Sequence, residues 1–430
     1  MVKTYKERER NIPIAGSSNV IVCGGGPAGV SAAIAAARMG ASTVLLENHG
    51  CLGGIWTAGL LCWIIDARNK TGLMSEIMER LDRRGARRQS QGSDFTYDPE
   101  EMKYLLDVLC EEVGVQVQLH TRVASAIVND GGTITGVVTE SKSGRQAWMA
   151  DIVIDATGDG DVAALAGCRY DMGRRENGQT QPLSLMAMVS GLPRHAEPYT
   201  MNGMNEHPKH RLLEQIKLAG LTPSYSAPSL FQVRDDLFAL MANHEYGVSC
   251  NNAAGITRAT RQARKELHTL IDGLRSLGGD WSQLHIVGTA AQIGVRDGRR
   301  ISGLYTVTEK DVLGGARHHD SICRVSYGVD IHSTDPAAGK GFGNDGVRSL
   351  PYDIPFRALI AADVNGLLLA GRCISGDFIA HSSYRVTGNA VAMGHAAGTA
   401  AALAALYKRL PQQLEWLDIQ RGIQKTGGIV

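Results

Sequence analysis

The sequence predicts an α/β protein: a parallel sheet flanked by helices, carrying an inserted α+β unit. Three observations predict it. The apolar run VIVC (20–23) leads into glycines 24, 26 and 29 and then into an alanine-rich stretch. Two more glycine turns follow apolar runs later in the chain, ATGDGD (156–161) and AGRCISGD (370–377). Finally, TGNAVAMGHAAGTAAALAALYKRL (387–410) reads as a long helix of small residues.

Taken in order, residues 1–18 read as a polar arm, and 20–23 as a buried parallel strand, apolar without alternation. Residues 27–39 have no internal glycine or proline after Gly29 and read as a helix, with Gly40 as its stop. A second strand at 43–46 ends at Glu47. This is strand, GxGxxG turn, helix, strand, acid. The first glycine permits the tight turn, the second lets the backbone approach a pyrophosphate, and the third lets helix and strand pack closely. The helix N-terminus offers free N–H groups to phosphates. Glu47, 23 positions after Gly24, is spaced to hold a ribose hydroxyl, which disfavours a 2′-phosphate there.

The segment NHGCLGGIWTAG (48–59) is a second bare loop, more than a simple nicotinamide dehydrogenase needs. Residues 115–140 read as a strand and a hairpin turning at 129–132, and 152–155 as the strand entering ATGDGD. In 255–279, Ile256, Leu267, Leu270, Ile271 and Leu274 fall near helical spacing, with Gly278 as the stop. The glycine-rich stretch 336–346 is a candidate lid or a surface connection.

Bulk composition narrows the class. Of 430 residues, 43% are hydrophobic and 20% charged, and 44 Lys and Arg against 43 Asp and Glu leave a net charge of +1. No nucleic-acid or membrane footprint is expected from that balance, and no run reads as long enough to span a membrane. The charged start MVKTYKERER lacks an apolar signal core. The eight cysteines form no CxxC pair, which removes the usual zinc, iron–sulfur and dithiol spacings. A soluble cytoplasmic protein is the expectation.

These motifs, with IGVRDGRRISGLYTVTEKDVL (293–313) and YGVDIH (327–332), resemble the glutathione-reductase-type (GR2-like) FAD fold, and more narrowly the FAD-dependent oxidoreductase family, over residues 20–410. The resemblance implies a Rossmann-like FAD-binding domain with a β-meander, at 19–166 plus 350–410, and an inserted substrate domain at 167–349; the tail at 411–430, beyond the resemblance, is expected to dock elsewhere or to mediate oligomer contacts. It implies that Gly24, Gly26, Pro27, Ala28 and Gly29 hold the FAD pyrophosphate, with Glu47 and Asn48 at the adenosine ribose. Gly53, Gly54 and Thr57 would line the phosphates or flavin edge, Val123 would meet adenine, and Ala156, Thr157 and Gly158 would form the second cofactor turn. Gly371, Arg372 and Asp377 are implied at the ribityl and phosphate region. Gly388, Asn389, Ala390 and Val391 would open a helix aimed at the flavin. Only one complete fingerprint is present, which argues against a reductase with its own nicotinamide domain.

Flavin chemistry needs a proton acceptor that titrates near neutrality, and histidine is the first choice. His381 in FIAHSSYR and His332 in YGVDIH are the candidates, with Asp330 two positions away to orient His332. Arg385 and Tyr384 are candidates for a substrate oxygen. Arg296, Arg299 and Arg300 are candidates for an anion clamp, at least one of them being a structural ion pair. His318 and His319 project apart, so no metal is expected. Cys51 is a redox candidate or a small packed thiol. The activity expected is a dehydrogenase or oxidase passing hydride from a small polar metabolite to flavin N5. A monooxygenase reduced by NAD(P)H and an electron-transfer subunit with a protein partner stay open.

Overall fold

Seven strands form the central sheet of the computed structural model, which describes residues 4–90, 92, 94–193 and 196–429. The first three residues of the expected arm lie outside the described residues. The strands are β1 (Ile14–Cys23), β2 (Thr43–Leu46), β3 (Gln116–Gln118), β4 (Arg122–Val128), β5 (Ile134–Ser141), β6 (Gly144–Asp155) and β7 (Leu367–Leu369). Their path is β3-β2-β1-β6-β5-β4, with β7 on the far end of β6. β1 is parallel to β2 and β6, and β7 is parallel to β6, while β4, β5 and β6 form an antiparallel meander. β6 is long enough to serve both: its first half pairs with β5, and Val153 to Asp155 carry β7.

Residues 20–23 are fully buried, as an unalternating apolar strand covered on both faces requires. β1 nevertheless starts earlier than the sequence reading placed it. Residues 14–18, assigned to the arm, pair with β6 from Ala147 to Ala150. Their Gly-Ser-Ser polarity reflects partial exposure, which hid the strand from a reading based on apolar runs. The hairpin between β4 and β5 turns where expected, and the Asn129 side chain accepts from the Gly131 and Thr133 N–H groups.

Helix α1 (Pro27–Arg38) starts with proline in its first turn and stops before Gly40, whose φ is +92°. Helices α2 (Leu73–Arg83) and α3 (Pro99–Glu112) pack on each other beside it. The Asp98 carboxylate caps α3 by accepting from Glu100 and Glu101 N–H.

The inserted unit has its own apolar core, drawn from residues 183–293 with Cys62. Four antiparallel strands, in the order 229–232, 237–241, 187–190, 285–289, form its sheet. Helix α4 (Ala253–Ser276) buries Leu267, Leu270, Ile271 and Leu274 there, while Ile256 is only partly buried. The core is narrower than the expected 167–349 insert. Ile301, Val307, Val312, Ile322 and Val325 join the first core instead, because the chain rejoins that body at Ile301, whose N–H donates to Cys373 O. Within 336–346, Phe342–Gly343 pairs with Ile331–His332.

Three helices close the chain: α5 (Phe378–Tyr384), α6 (Thr387–Tyr407) and α7 (Trp416–Lys425). By length and composition α6 could cross a membrane, contrary to the sequence reading, but 83% of its apolar window is buried in the fold. It lies directly on α1. A Cβ on Gly394 or Gly398 would sit 2.0 Å from Ala28 O or Ala32 O, and Ser31 Oγ donates to Val391 O at 2.7 Å. The tail folds back: α7 packs on α6, His395 Nε2 lies 2.6 Å from Thr426 Oγ1, and Ile429 N–H donates to Thr71 Oγ1 at 2.7 Å.

Two outcomes follow from this packing. Gly398→Ala forces α1 and α6 apart and is expected to cost about 1–3 kcal/mol or more in denaturant unfolding. Burial, then Arg38, lowers the His395 pKa from 6.5 to about 4. The folded state therefore binds fewer protons than the unfolded chain between those values, and its stability falls as pH drops from 6.5 towards 4. His395→Gln should flatten that fall, whose slope from one group is at most about 1.4 kcal/mol per pH unit; melting temperatures across this range measure it.

Candidate cofactor and substrate site

A cavity of about 880 Å³ opens at the C-terminal ends of β1, β2, β6 and β7, the usual ligand position of a parallel sheet. Gly24, Gly26, Pro27, Ala28, Glu47, Asn48, Gly54, Val123, Ala156, Thr157, Gly158, Gly371, Arg372 and Ala390 line it, so most of the expected cofactor residues converge. Gly24 has φ +99°, and a Cβ there would lie 2.5 Å from Ala156 O, so the first two turns touch backbone to backbone. A Cβ on Gly26 would meet nothing within 4 Å, which leaves an open cradle at the start of α1. That helix start has no side-chain cap and no acid in its first turn, so its N–H groups are free for an anion. Glu47 accepts from Gly25 N–H at 2.6 Å and from His49 N–H at 2.7 Å, which fixes its carboxylate at the cavity wall.

The second turn is organised by buried Asp155, which accepts from Thr157 N–H, Thr157 Oγ1 and Ala163 N–H. Burial raises its pKa to about 6, and these hydrogen bonds hold it down against a larger rise. In the third turn Arg372 donates to Gly158 O, to Asp159 Oδ1 at 2.8 Å and to Val295 O at 2.5 Å. It thereby straps the inserted unit to the second turn. Arg299 reinforces the strap through Asp159 O and Asp161.

Seven expected cofactor residues do not line the cavity. Gly29 packs on Gly24, where a Cβ would lie 1.8 Å from the carbonyl oxygen. Gly53 and Thr57 stand behind Gly54; the Gly53 N–H donates to Gly25 O and the Thr57 hydroxyl to Leu52 O. Asp377 caps α5 through Ala380 N–H and accepts from Glu309 N–H. Gly388 lies against the backbone of Ile65 and Asp66, and Asn389 and Val391 are buried in α6.

Towards the inserted unit the wall changes to Ile55, Leu61, Ser184, Met186, Met241, Gln292, Gly294, Val295, Arg296 and Arg385. Arg296 is 9% exposed and donates to Pro182 O and Ser184 Oγ, both at 2.8 Å, with Met241 Sδ at 3.4 Å. Among the described residues it has no carboxylate partner. Burial and the nearby Arg385 lower its pKa to about 10, so it stays charged at neutral pH. Arg385 donates to Asp330 O at 3.0 Å and Asp330 Oδ2 at 3.3 Å, while its buried Nε has no acceptor among the described residues.

Behind Arg385 runs a line of side chains. Asp330 Oδ2 lies 3.5 Å from His332 Nε2, His332 Nδ1 lies 2.9 Å from His244 Nε2, and His244 Nδ1 lies 3.1 Å from Tyr246 Oη. The i, i+2 relation of Asp330 and His332 thus holds in space. Burial, then Arg296, lowers the His332 pKa to about 4 against the pull of Asp330. His244 is lowered further by burial and the same arginine. Burial pushes Asp330 up, but His332 and Arg385 outweigh it and hold the carboxylate ionised.

Other candidates fall elsewhere. His381 is fully buried in α5 beside Tyr384, with neither ring nitrogen partnered, and does not line the cavity. The Tyr384 hydroxyl donates to Ile374 O. Arg300 is the structural ion pair of the arginine set, bound to Asp297, Gly376 O and Gly173 O. Cys51 Sγ sits 3.7 Å from Thr57 Oγ1 and does not line the cavity. Among the described residues no group of three or more His, Cys, Asp or Glu side chains is placed to hold a metal ion. The sequence reading missed His244, Ser184, Met186, Met241 and Gln292, which sit in the inserted unit without a local motif.

The open Gly26 cradle, the uncapped start of α1 and the fixed Glu47 carboxylate fit a dinucleotide, and the cavity extends beyond them to the inserted roof. Gly26→Val fills the cradle. It is expected to weaken FAD retention tenfold or more, about 1.4 kcal/mol, read from the flavin-to-protein absorbance ratio of purified protein.

The family model for FAD dependent oxidoreductases matches residues 19–424. Thiamine thiazole synthase from Methanococcus aeolicus is 30% identical over 169 residues, covering 36% of this chain and 61% of that protein. The Methanococcus maripaludis protein of the same name is also 30% identical over 169 residues, covering 36% and 62%. The chain thus spans about three-fifths of the length of these curated relatives. Among solved structures, the flavin-dependent brominase Bmp2 superposes with a TM-score of 0.50 at 12% identity, covering 95% of this chain and 83% of that one, a likeness of fold. The open dinucleotide cradle, the acid at the end of β2 and a match over nearly the whole length lead to one conclusion: the chain belongs to the FAD-dependent oxidoreductase family and is an FAD-binding enzyme.

Proposed function

We propose that the protein oxidises a small polar metabolite by hydride transfer to N5 of FAD. The carrying observation is the hydrogen-bonded line from Asp330 through His332 to His244, set directly behind the Arg385 wall of the cavity. When bound, FAD supplies the electron chemistry. The protein supplies position and a proton acceptor. Arg296, Ser184 and Gln292 offer polar groups at the roof, and Met186, Met241, Ile55 and Leu61 give it an apolar, water-poor surround. His332 is the proton acceptor in this reading. Asp330 fixes one ring nitrogen, and His244 can donate to the other while accepting from the Tyr246 hydroxyl. One tautomer arrangement satisfies the whole line: neutral His332 presents Nε2–H to Asp330 and accepts from His244 at Nδ1, so it takes a proton as the bond to His244 opens. The subtype reading, a glutathione-reductase-type FAD fold, is supported by the parallel sheet carrying the β4–β6 meander.

The test is anaerobic reduction of the bound flavin by panels of hydroxy, amino and aldehyde metabolites, followed by loss of the oxidised flavin absorbance. Reduction by one such class is expected. Bleaching only by NAD(P)H with later oxygen insertion, or only by a protein partner, would replace this reading by a monooxygenase or a relay. His332→Gln is expected to slow reduction by about 10²–10⁴-fold and to change its pH profile, and an unaltered rate removes His332. His381→Leu replaces an unpartnered buried ring by an apolar group. It is expected to leave the reduction rate and melting temperature close to those of the parent.

A further inference from the structure

The roof of the cavity carries more positive charge than it can neutralise. Arg296 and Arg385 both line it, and both are largely buried. The carboxylate placed against them is Asp330, bound to Arg385 and His332 rather than to Arg296. The two imidazoles behind are held neutral, so they add nothing to either side. Arg299 and Arg372, which also line the cavity, are matched by Asp161 and Asp159. At the roof one buried guanidinium is left over: Arg296, whose described partners are a carbonyl, a hydroxyl and a thioether.

Burying an uncompensated cation is costly, and Arg385 close by raises the cost. Groups of this kind are kept where an anion completes them. Arginine presents a planar fork suited to a carboxylate, and charge-assisted bonds of that type are among the stronger ones in a desolvated pocket. The carbonyl of Pro182 and the hydroxyl of Ser184 both meet the same Nη1, so they fix the plane of the fork while leaving Arg296 without a counter-charge.

We infer that the substrate is an organic acid, and that its carboxylate docks on Arg296 at the cavity roof. The word substrate rests on the hydride-transfer reading above; the carboxylate site itself does not. The carboxylate would anchor one end of the molecule and leave the other free to face the cofactor. Asp330 and the neutral imidazoles lie behind Arg385, outside the cavity lining, and would communicate with the docked molecule through that residue. Arg296 is then a binding residue, and its loss should raise KM more than it lowers kcat.

The experiment titrates the FAD-loaded protein with acetate, benzoate and oxalate, and with acetamide and benzamide, at constant ionic strength. It follows the absorption of the oxidised flavin. Saturable perturbation by at least one carboxylate and none by its amide is expected. Arg296→Gln should weaken that binding about tenfold or more with the FAD content unchanged, and Arg296→Lys should recover part of it. Equal responses to acids and amides, or no response to any carboxylate, overturn the inference. So does a glutamine variant that binds carboxylates as before or that sheds FAD, since Arg296 would then serve the cofactor. Should that variant fail to fold, the acid-against-amide comparison on the parent protein and the lysine variant decide. Carboxylate binding without flavin reduction by any acid metabolite sinks the hydride-transfer reading alone. Reduction by a neutral metabolite, with no carboxylate response, sinks this inference alone.

Discussion

The contact on which the site depends is backbone to backbone, between α1 and α6. Ala28 and Ala32 of one helix meet Gly394 and Gly398 of the other, and Ser31 reaches the Val391 carbonyl. The pairing runs in the same direction along both helices, so their N-termini point the same way and both reach the cavity, α1 at Pro27 and Ala28, α6 at Thr387 and Ala390. Two parallel helix dipoles side by side repel, and negative charge at their shared positive end relieves that repulsion. The small-residue composition of α6 is therefore a requirement of the site as well as of the core. It brings a second helix terminus, far away in sequence, to the ligand that the first was built to hold.

Away from the helix ends, electrostatics is managed by side chains in a poorly solvated pocket. Arginines that face the cavity mostly have acids assigned to them, and each pairing also ties two chain segments together. Arg299 and Arg372 gather the second turn against the inserted unit, while Arg300 holds the segment at 297 to those at 173 and 376. His332 and His244 use each other in place of water. Because burial keeps both rings uncharged, they can stand beside two guanidinium groups without adding to the repulsion.

Legibility in the sequence followed the range of the physics involved. The strand at 20–23, the glycine turn, α1 and the acid at Glu47 are set by local rules, and they were readable to within a residue or two. Glycines were harder to sort. Gly26 opens on the cavity and Gly24 both lines it and packs on Ala156, whereas Gly29, Gly388, Gly394 and Gly398 serve packing alone, and the letter is the same for all. The start of β1 was missed because its exposed portion is polar. The extent of the second core was not legible, since what ends it is the return of Ile301 to the other body, a tertiary event. The two histidine candidates separated for a reason no motif encodes: His381 points into α5's own packing, whereas His332 meets Asp330 and a third residue, His244, from 88 positions away. His244 had no local signal, and proximity in the fold alone gives it meaning.

The Arg372 strap bears on how molecules come and go. It joins the last glycine turn, the second turn and the inserted unit through three oxygen acceptors, all beside the cavity. A clamshell opening of the roof would have to break the bond to Val295 O, whereas the bonds to Gly158 and Asp159 lie within the cofactor-binding body and would stay intact. The roof is thus tied to the cofactor turns at this corner, beside the mouth of the chamber. Selection among incoming molecules then rests on a shape and charge already in place before they arrive.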